Sequence, residues 1–286
     1  MNKKSILITG ASSGLGHAAA RKLADNGFYV FAAVRKICGV FDKIENIEEI
    51  QLDVTNEQSV KKSFSYIEAR NKDYPLWGVV NNAGVCIPSP LELLRPSELR
   101  QHLDINVTGH LLVTQFALPF IRSTKGRIIN VTSGLGNVAV PYLGAYSIAQ
   151  FAKRAFTDVL RRELRHSGVS VSVVQPGKIY TPIWNKFSTA GQAILDQSVD
   201  ERWKLYEKSF KNFLVANQAE GYPFNLTEDD FAQVILDVLT TNKPAAHYYV
   251  GEEEKDFVDK SRTLNVSEID AWFDLQSPTA EEFKKI

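Results

Sequence analysis

Two cysteines, Cys38 and Cys86, are all that the 286 residues contain, and nothing pairs them with other ligand-type residues. That excludes a disulfide-framed small domain and a cysteine zinc site. The five histidines, His17, His102, His110, His166 and His247, show no metal-ligand spacing, so no metal is expected. Net charge is missing too: 33 Lys plus Arg stand against 33 Asp plus Glu, which leaves no electrostatic reason for nucleic acid or an anionic membrane as partner. Long apolar runs are absent at the start. Met1-Asn2-Lys3-Lys4 is followed by only five residues, Ser5 to Thr9, before glycine, too few for a signal sequence or a membrane span. No linker rich in Pro, Gly or Ser and no internal repeat interrupts the chain. With 44% hydrophobic residues it can bury a sizeable core, and a soluble cytoplasmic globular protein is expected.

What is present is an alternation of short apolar runs with helical patterns, the pattern of βαβ units and a parallel sheet. The spacing predicts strands at Ser5–Thr9, Phe28–Val34, Glu49–Asp53, Leu76–Val80, Arg127–Val131, Val169–Val174 and His247–Val250. Between them helices are predicted at Leu15–Asn26, Asn56–Arg70, Pro96–Ile121 (as one long helix), Ala145–His166 and Thr227–Thr240. The expected organisation is one α/β domain, a doubly wound parallel sheet or Rossmann fold, over residues 1–251. It includes a loop at about 178–225 rich in aromatic residues, and a charged extension follows over 252–286. Phe257, Ile269, Trp272, Phe273 and Phe283 are the extension's candidate anchors.

The sharpest local feature is Thr9-Gly10-Ala11-Ser12-Ser13-Gly14-Leu15-Gly16, between a predicted strand and a predicted helix. Glycines permit a tight turn and close backbone approach, and the helix N-terminus offers free N–H groups to a pyrophosphate. Five more elements follow in order: Asn81-Asn82-Ala83-Gly84 after strand four, Asn106 within the next helix, Ser133 after strand five, Tyr146 opening a helix, and Pro176-Gly177 after strand six.

Together these resemble the short-chain dehydrogenase/reductase family over about residues 5–185, and Leu76–Gly84 with Arg162–Thr181 look most like its hydroxysteroid and retinol dehydrogenase branch. The resemblance implies a sheet order of 3-2-1-4-5-6-7 and a nicotinamide cofactor. Gly10, Ser12, Ser13, Gly14, Leu15 and Gly16 would hold its phosphates, Asp53 and Val54 flank the adenine, and Asn82, Ala83 and Gly84 line the sheet edge. Pro176, Gly177, Ile179 and Thr181 would meet the carboxamide end. Ser133 would orient the substrate, Tyr146 act as acid or base, and Asn106 hold a relay water. The Ser-to-Tyr interval of thirteen fits this pattern. A homodimer or homotetramer through the two long helices is also implied.

One departure stands out. The family carries Lys four residues after the tyrosine, where this chain has Gln150. Gln150 can hydrogen-bond a ribose but brings no charge. Tyr146 is therefore expected to titrate near the free phenol value of about 10, which weakens the chemistry and biases it towards reduction. Lys153, at i+7, is read as an exposed or subunit-contact residue, and Lys178 as a solvated loop residue. Strand two ends in Phe31-Ala32-Ala33-Val34-Arg35-Lys36 without an acid. The basic pair Arg35 and Lys36 suits the 2′-phosphate of NADP(H) better than NAD(H).

The aromatic segment carries Trp184, Phe187, Trp203, Tyr206, Phe210, Phe213, Tyr222 and Phe224, fit either for a lid over a lipophilic small-molecule substrate or for packing alone. The expectation is an NADP(H)-dependent oxidoreductase interconverting an apolar ketone or aldehyde and its alcohol. The alternatives are an NADP-binding pseudoenzyme, favoured by Gln150, and a non-redox enzyme on the same scaffold.

Overall fold

A computed structural model describes residues 3–197, 201–217 and 225–274. Seven parallel strands form one sheet: β1 (Ser5–Thr9), β2 (Tyr29–Val34), β3 (Ile47–Gln51), β4 (Leu76–Asn81), β5 (Arg127–Val131), β6 (Ser170–Pro176) and β7 (His247–Val250). Their order is β3-β2-β1-β4-β5-β6-β7, as the resemblance implied. β1 is buried at every position because helices cover both faces of the sheet. Its alternation divides the core: Ile6 and Ile8 pack with α1 (Gly14–Asp25) and α8 (Glu228–Thr240), while Leu7 faces α2 (Glu57–Arg70), α4 (Gly109–Thr124) and α5 (Gly144–Glu163). The strand order reverses between β1 and β4, so their carboxyl ends open a crevice there, the usual ligand position in open α/β sheets.

Three expectations change in detail. The third strand lies at Ile47–Gln51, in register with Val30–Val34, which leaves Asp53 beyond the strand, its carboxylate held by Thr55. The predicted Pro96–Ile121 helix is helical throughout but not uniform: α3 (Pro96–Leu103) passes through a π turn at Asp104–Thr108 before α4 begins. The Gly109 N–H reaches back five residues to the Asp104 carbonyl, and a side chain at Gly109 would come within 2.8 Å of Val54. The wider turn carries Asn106 inward, fully buried. The aromatic segment, expected as loop, forms α6 (Pro182–Gln197) and α7 (Trp203–Ala216). These pack around Tyr142, Phe187, Trp203, Phe210 and Phe213, a satellite cluster separate from the sheet core. Tyr222, Phe224 and Phe283 lie outside the described residues. After β7, the chain forms α9 (Glu252–Thr263) and α10 (Val266–Trp272). No helix among the described residues is long and apolar enough to cross a membrane, and they contain no cluster fit to hold a metal ion.

Candidate active site

One cleft of about 1540 Å³ runs along the carboxyl ends of the strands and gathers the expected residues from Gly10 to Thr181. Gly16 alone is set back from its lining, and its role is steric. A side chain at Gly16 would lie 2.5 Å from the Gly10 carbonyl oxygen, and one at Gly10 (φ +69°) would lie 2.9 Å from the Ala83 Cα. The turn is therefore closed against the β4 end by the absence of side chains. Exposed Ser13 precedes α1 without capping it, and the first turn holds no acidic residue, so its N–H groups and positive dipole end face the cleft uncompensated. This is a cradle for an anionic phosphate.

Thr9 organises the opposite wall. Its hydroxyl accepts the N–H groups of Asn82 and Ala83, both at 3.0 Å, while the Asn82 amide donates to the carbonyls of Thr9 and Gly10. Asn106 clamps Val85 from both sides: its amide donates to the Val85 carbonyl at 3.1 Å, and its carbonyl oxygen accepts the Val85 N–H at 3.1 Å. Gly84 is needed for that approach, since a side chain there would meet the Asn106 Oδ1 at 2.7 Å. His110 bonds the Ala83 carbonyl at 2.7 Å, and burial holds the imidazole well below its ordinary pKa, hence neutral.

At the far end, the Ser133 hydroxyl stands beside the Tyr146 phenol and favours its ionised form. The Ser133 carbonyl is fixed by the Gln175 amide at 3.0 Å. Burial raises the Tyr146 pKa well above its ordinary value, and the nearby Cys86 and Glu254 add to the rise, outweighing the opposite effect of Ser133. The expectation of a value near that of a free phenol is thus corrected: the hydroxyl is held protonated by desolvation, not merely left unassisted. Ile179 and Thr181 are buried beside Gly177 and Lys178, and Trp184 donates to the Ile179 carbonyl at 2.7 Å. Lys178 is exposed, as expected, and its ammonium donates to Asn217 at 3.1 Å. Phe187 and Phe213 belong both to the aromatic cluster and to the cleft wall, so lid and packing are one feature.

Arg35 and Lys36 are exposed at the rim next to Asp53 and Val54. The carboxylate of Glu49 is turned away from that rim, accepting the N–H groups of Cys38, Gly39 and Phe41.

Lys153 and Glu254 are among the cleft residues not assigned to it from sequence. Lys153, read as exposed, is 3% exposed and lines the cleft with Tyr146, Gln150 and Asn106. The signal was there: the inward residues of α5 include Ala149, Gln150, Lys153, Thr157 and Leu160, a helical stripe that includes the lysine. Glu254, from the first turn of α9, reaches the same cleft, where its Oε1 is buried without a partner and burial pushes its carboxyl up to about 7. No local pattern marks it, because it meets Gly134 across more than a hundred residues of chain. Below the cleft, Asn81, Thr114, Asn130 and Thr157 form a buried hydrogen-bonded chain that ends on the Lys153 carbonyl.

These observations fit a nicotinamide dinucleotide. A glycine turn closed against β4, a bare helix N-terminus, and a buried unpartnered Gln150 Oε1 offer donors and acceptors to phosphates and sugar hydroxyls.

Comparison with known proteins agrees. The family model for short chain dehydrogenases matches residues 4–191. The 3-amino-tetrahydro-pyrrolizinone reductase of Xenorhabdus hominickii is 68% identical over the full length of both chains. Retinol dehydrogenase 7 of Mus musculus is 32% identical, covering 90% of this chain and 83% of the other. In solved structures, a short-chain dehydrogenase from Streptomyces avermitilis superposes with a TM-score of 0.76 at 24% identity, covering 95% of this chain and 96% of that one.

Proposed function

The chain belongs to the short-chain dehydrogenase family and is an oxidoreductase, and from that premise we propose that it uses NADPH to reduce the carbonyl group of a small amine-bearing ketone. The observation that carries the reading is the buried Tyr146 phenol, held protonated by desolvation beside Ser133 at the inner end of the cleft. A neutral phenol is an acid, and reduction needs an acid at the carbonyl oxygen. The bound cofactor supplies hydride to the carbonyl carbon. Tyr146 gives its proton to the oxygen, so the alcohol leaves neutral. Ser133 steadies the same oxygen, held in place through its own carbonyl by Gln175. Asn106 spends its side chain on Val85, so any relay water is held by its main chain. Gln150 offers its amide to the ribose.

Cofactor choice rests on Arg35 and Lys36 at the rim, where the carboxylates of Glu49 and Asp53 are engaged elsewhere, by the Cys38 N–H and by Thr55. The substrate part rests on Glu254, whose Oε1 is buried in the cleft without a partner and suited to an ammonium, and on the name of the 68% identical relative, whose compound carries both an amine and a ring carbonyl. Phe187 and Phe213 would cover the apolar part of such a molecule. A homodimer or homotetramer through α4 and α5 is part of the proposal, supported by the exposed apolar residues Leu111, Ile148, Phe151 and Val159 on those helices.

The test is consumption of NADPH with amine-bearing bicyclic ketones and their des-amino analogues. Turnover with the amines, abolished in Tyr146→Phe while NADPH still binds, is the expected result. Turnover of the des-amino analogues alone would sink the substrate assignment, and equal use of NADH would sink the cofactor assignment.

A further inference from the structure

Lys153 is a buried cation that the proton-transfer pair does not use. Among the described residues its ammonium has neither a hydrogen bond nor an ion pair, and burial lowers its pKa from 10.5 to about 7. An ammonium drawn largely out of water with no partner is a costly feature for a fold to keep, so what it faces matters. It faces the cleft.

Helix geometry fixes where in the cleft. Side chains on an α-helix lean towards its N-terminus, over the residues three and four before them. For Lys153 those are Gln150 and Ala149. Three residues are roughly 4.5 Å of helix, and an extended lysine stem spans about 6 Å, so the ammonium is carried back to the level of Gln150. On the other side stands His110, whose imidazole feels the lysine charge and which bonds the Ala83 carbonyl in the Asn82–Gly84 turn. The ammonium therefore lies between α5 and the β4 turn, beneath the inner half of the cleft. The phosphate cradle at Gly10–Gly16 and the basic pair Arg35–Lys36 serve the other half. Three residues earlier on the same buried face of α5, and lining the same cleft, the Gln150 Oε1 is itself without a partner.

We propose that Lys153 is a positioning residue that, together with Gln150, binds the sugar hydroxyls on the nicotinamide side of the cofactor, its charge entering one turn further along α5 than the residue after Tyr146 would suggest. This rests on the proposed NADPH-dependent function. Gln150 is then half of a divided site: the amide provides directed hydrogen bonds and Lys153 the charge. Oxygen acceptors stabilise the protonated amine, so cofactor binding above neutral pH takes up a proton. The other titratable groups around the lysine are His110 on α4, held neutral, Cys86 on the chain after β4, held protonated, and Tyr146 on α5 itself. Glu254 on α9 titrates in the same range and needs its own control.

The experiment is NADPH binding followed by protein fluorescence from pH 7 to 9, in the parent chain and in Lys153→Met, Lys153→Arg, Gln150→Lys and the double variant Gln150→Lys/Lys153→Met, each repeated on a Glu254→Gln background. The parent is expected to lose affinity by up to about tenfold per pH unit above neutrality. Lys153→Met should bind at least tenfold more weakly at pH 7, and its Kd should be flat with pH. Lys153→Arg should keep part of the affinity and none of the slope below pH 9. Gln150→Lys alone should bind more weakly than the parent, because two ammonium groups crowd one site, whereas the double variant should recover most of the affinity. Lys153→Met with the parent's Kd and pH slope would overturn the proposal. So would a slope that disappears with Glu254→Gln alone. If Lys153→Met fails to fold, the slope in the parent and its loss in Lys153→Arg still decide. A parent that binds neither NADPH nor NADH defeats the functional reading itself.

Discussion

Replacing Lys153 with Met should make the cofactor-free protein more stable, by an amount that depends on pH in a set direction. The native amine titrates at about 7 and the unfolded one at 10.5. At pH 7 the buried ammonium therefore costs the fold on the order of 4 kcal/mol. Between those values the unfolded chain holds a proton that the native chain has lost, so native stability rises with pH, by about 1.4 kcal/mol per unit. By pH 9.5 the cost has fallen to about 1.5 kcal/mol. Met fills similar volume without charge and has no such dependence. Urea denaturation of both proteins at half-unit steps from pH 7 to 9.5 gives the difference directly, and background titrations common to both cancel. The expected outcome is a variant more stable at pH 7, with the gap narrowing by 2 to 3 kcal/mol across the range. A gap that stays constant would show that the lysine is already solvated or paired, and the argument for an unpartnered ammonium would fail.

Other outcomes follow from the same geometry. Glu254 is protonated below about 7 and charged above it, so the KM for an amine-bearing substrate should fall as pH rises from 6 to 8. Glu254→Gln should flatten that dependence and raise KM roughly tenfold at pH 8, with little change for a des-amino analogue, as steady-state kinetics would show. Arg35→Glu should weaken NADPH at least tenfold relative to NADH, because the carboxylate repels a 2′-phosphate and accepts a free hydroxyl; the ratio of the two KM values reads this out. Gly16→Ala brings a methyl group to 2.5 Å from the Gly10 carbonyl and should open the phosphate turn. Its expected mark is a large loss of dinucleotide affinity in a titration, with only a modest fall in Tm.

Much of the site was legible because its signals are local. A glycine turn between a strand and a helix is set by spacing, and so is a serine thirteen residues before a tyrosine on the next helix. The absence of acid at Arg35–Lys36 is likewise a property of six consecutive residues. The π turn at Asp104–Thr108 was not legible: nothing in the residues before Gly109 announces the extra one, and only the contact with Val54 fits the widened turn. Trp184, Phe187 and Phe213 were legible as aromatic mass but not as two helices, because their partners, Tyr142 among them, lie elsewhere in the chain. Lys153 was misplaced for a different reason. A lysine ordinarily keeps its charge in water, whereas the helical stripe with 149, 150, 157 and 160 puts this one on the buried face.

The residues alone settled the α/β architecture and the order of the motifs, and they singled out Ser133 and Tyr146 as candidates, since each depends on contacts within a few residues or on an ordered series of such contacts. Only the folded chain decided what surrounds that pair. The raised proton affinity of Tyr146, the inward lysine without a partner, and the carboxyl of Glu254 brought from the C-terminal helix all arise from packing between distant segments. Burial removes water from these groups, and how much water is removed is a property of the three-dimensional neighbourhood that no stretch of sequence carries by itself.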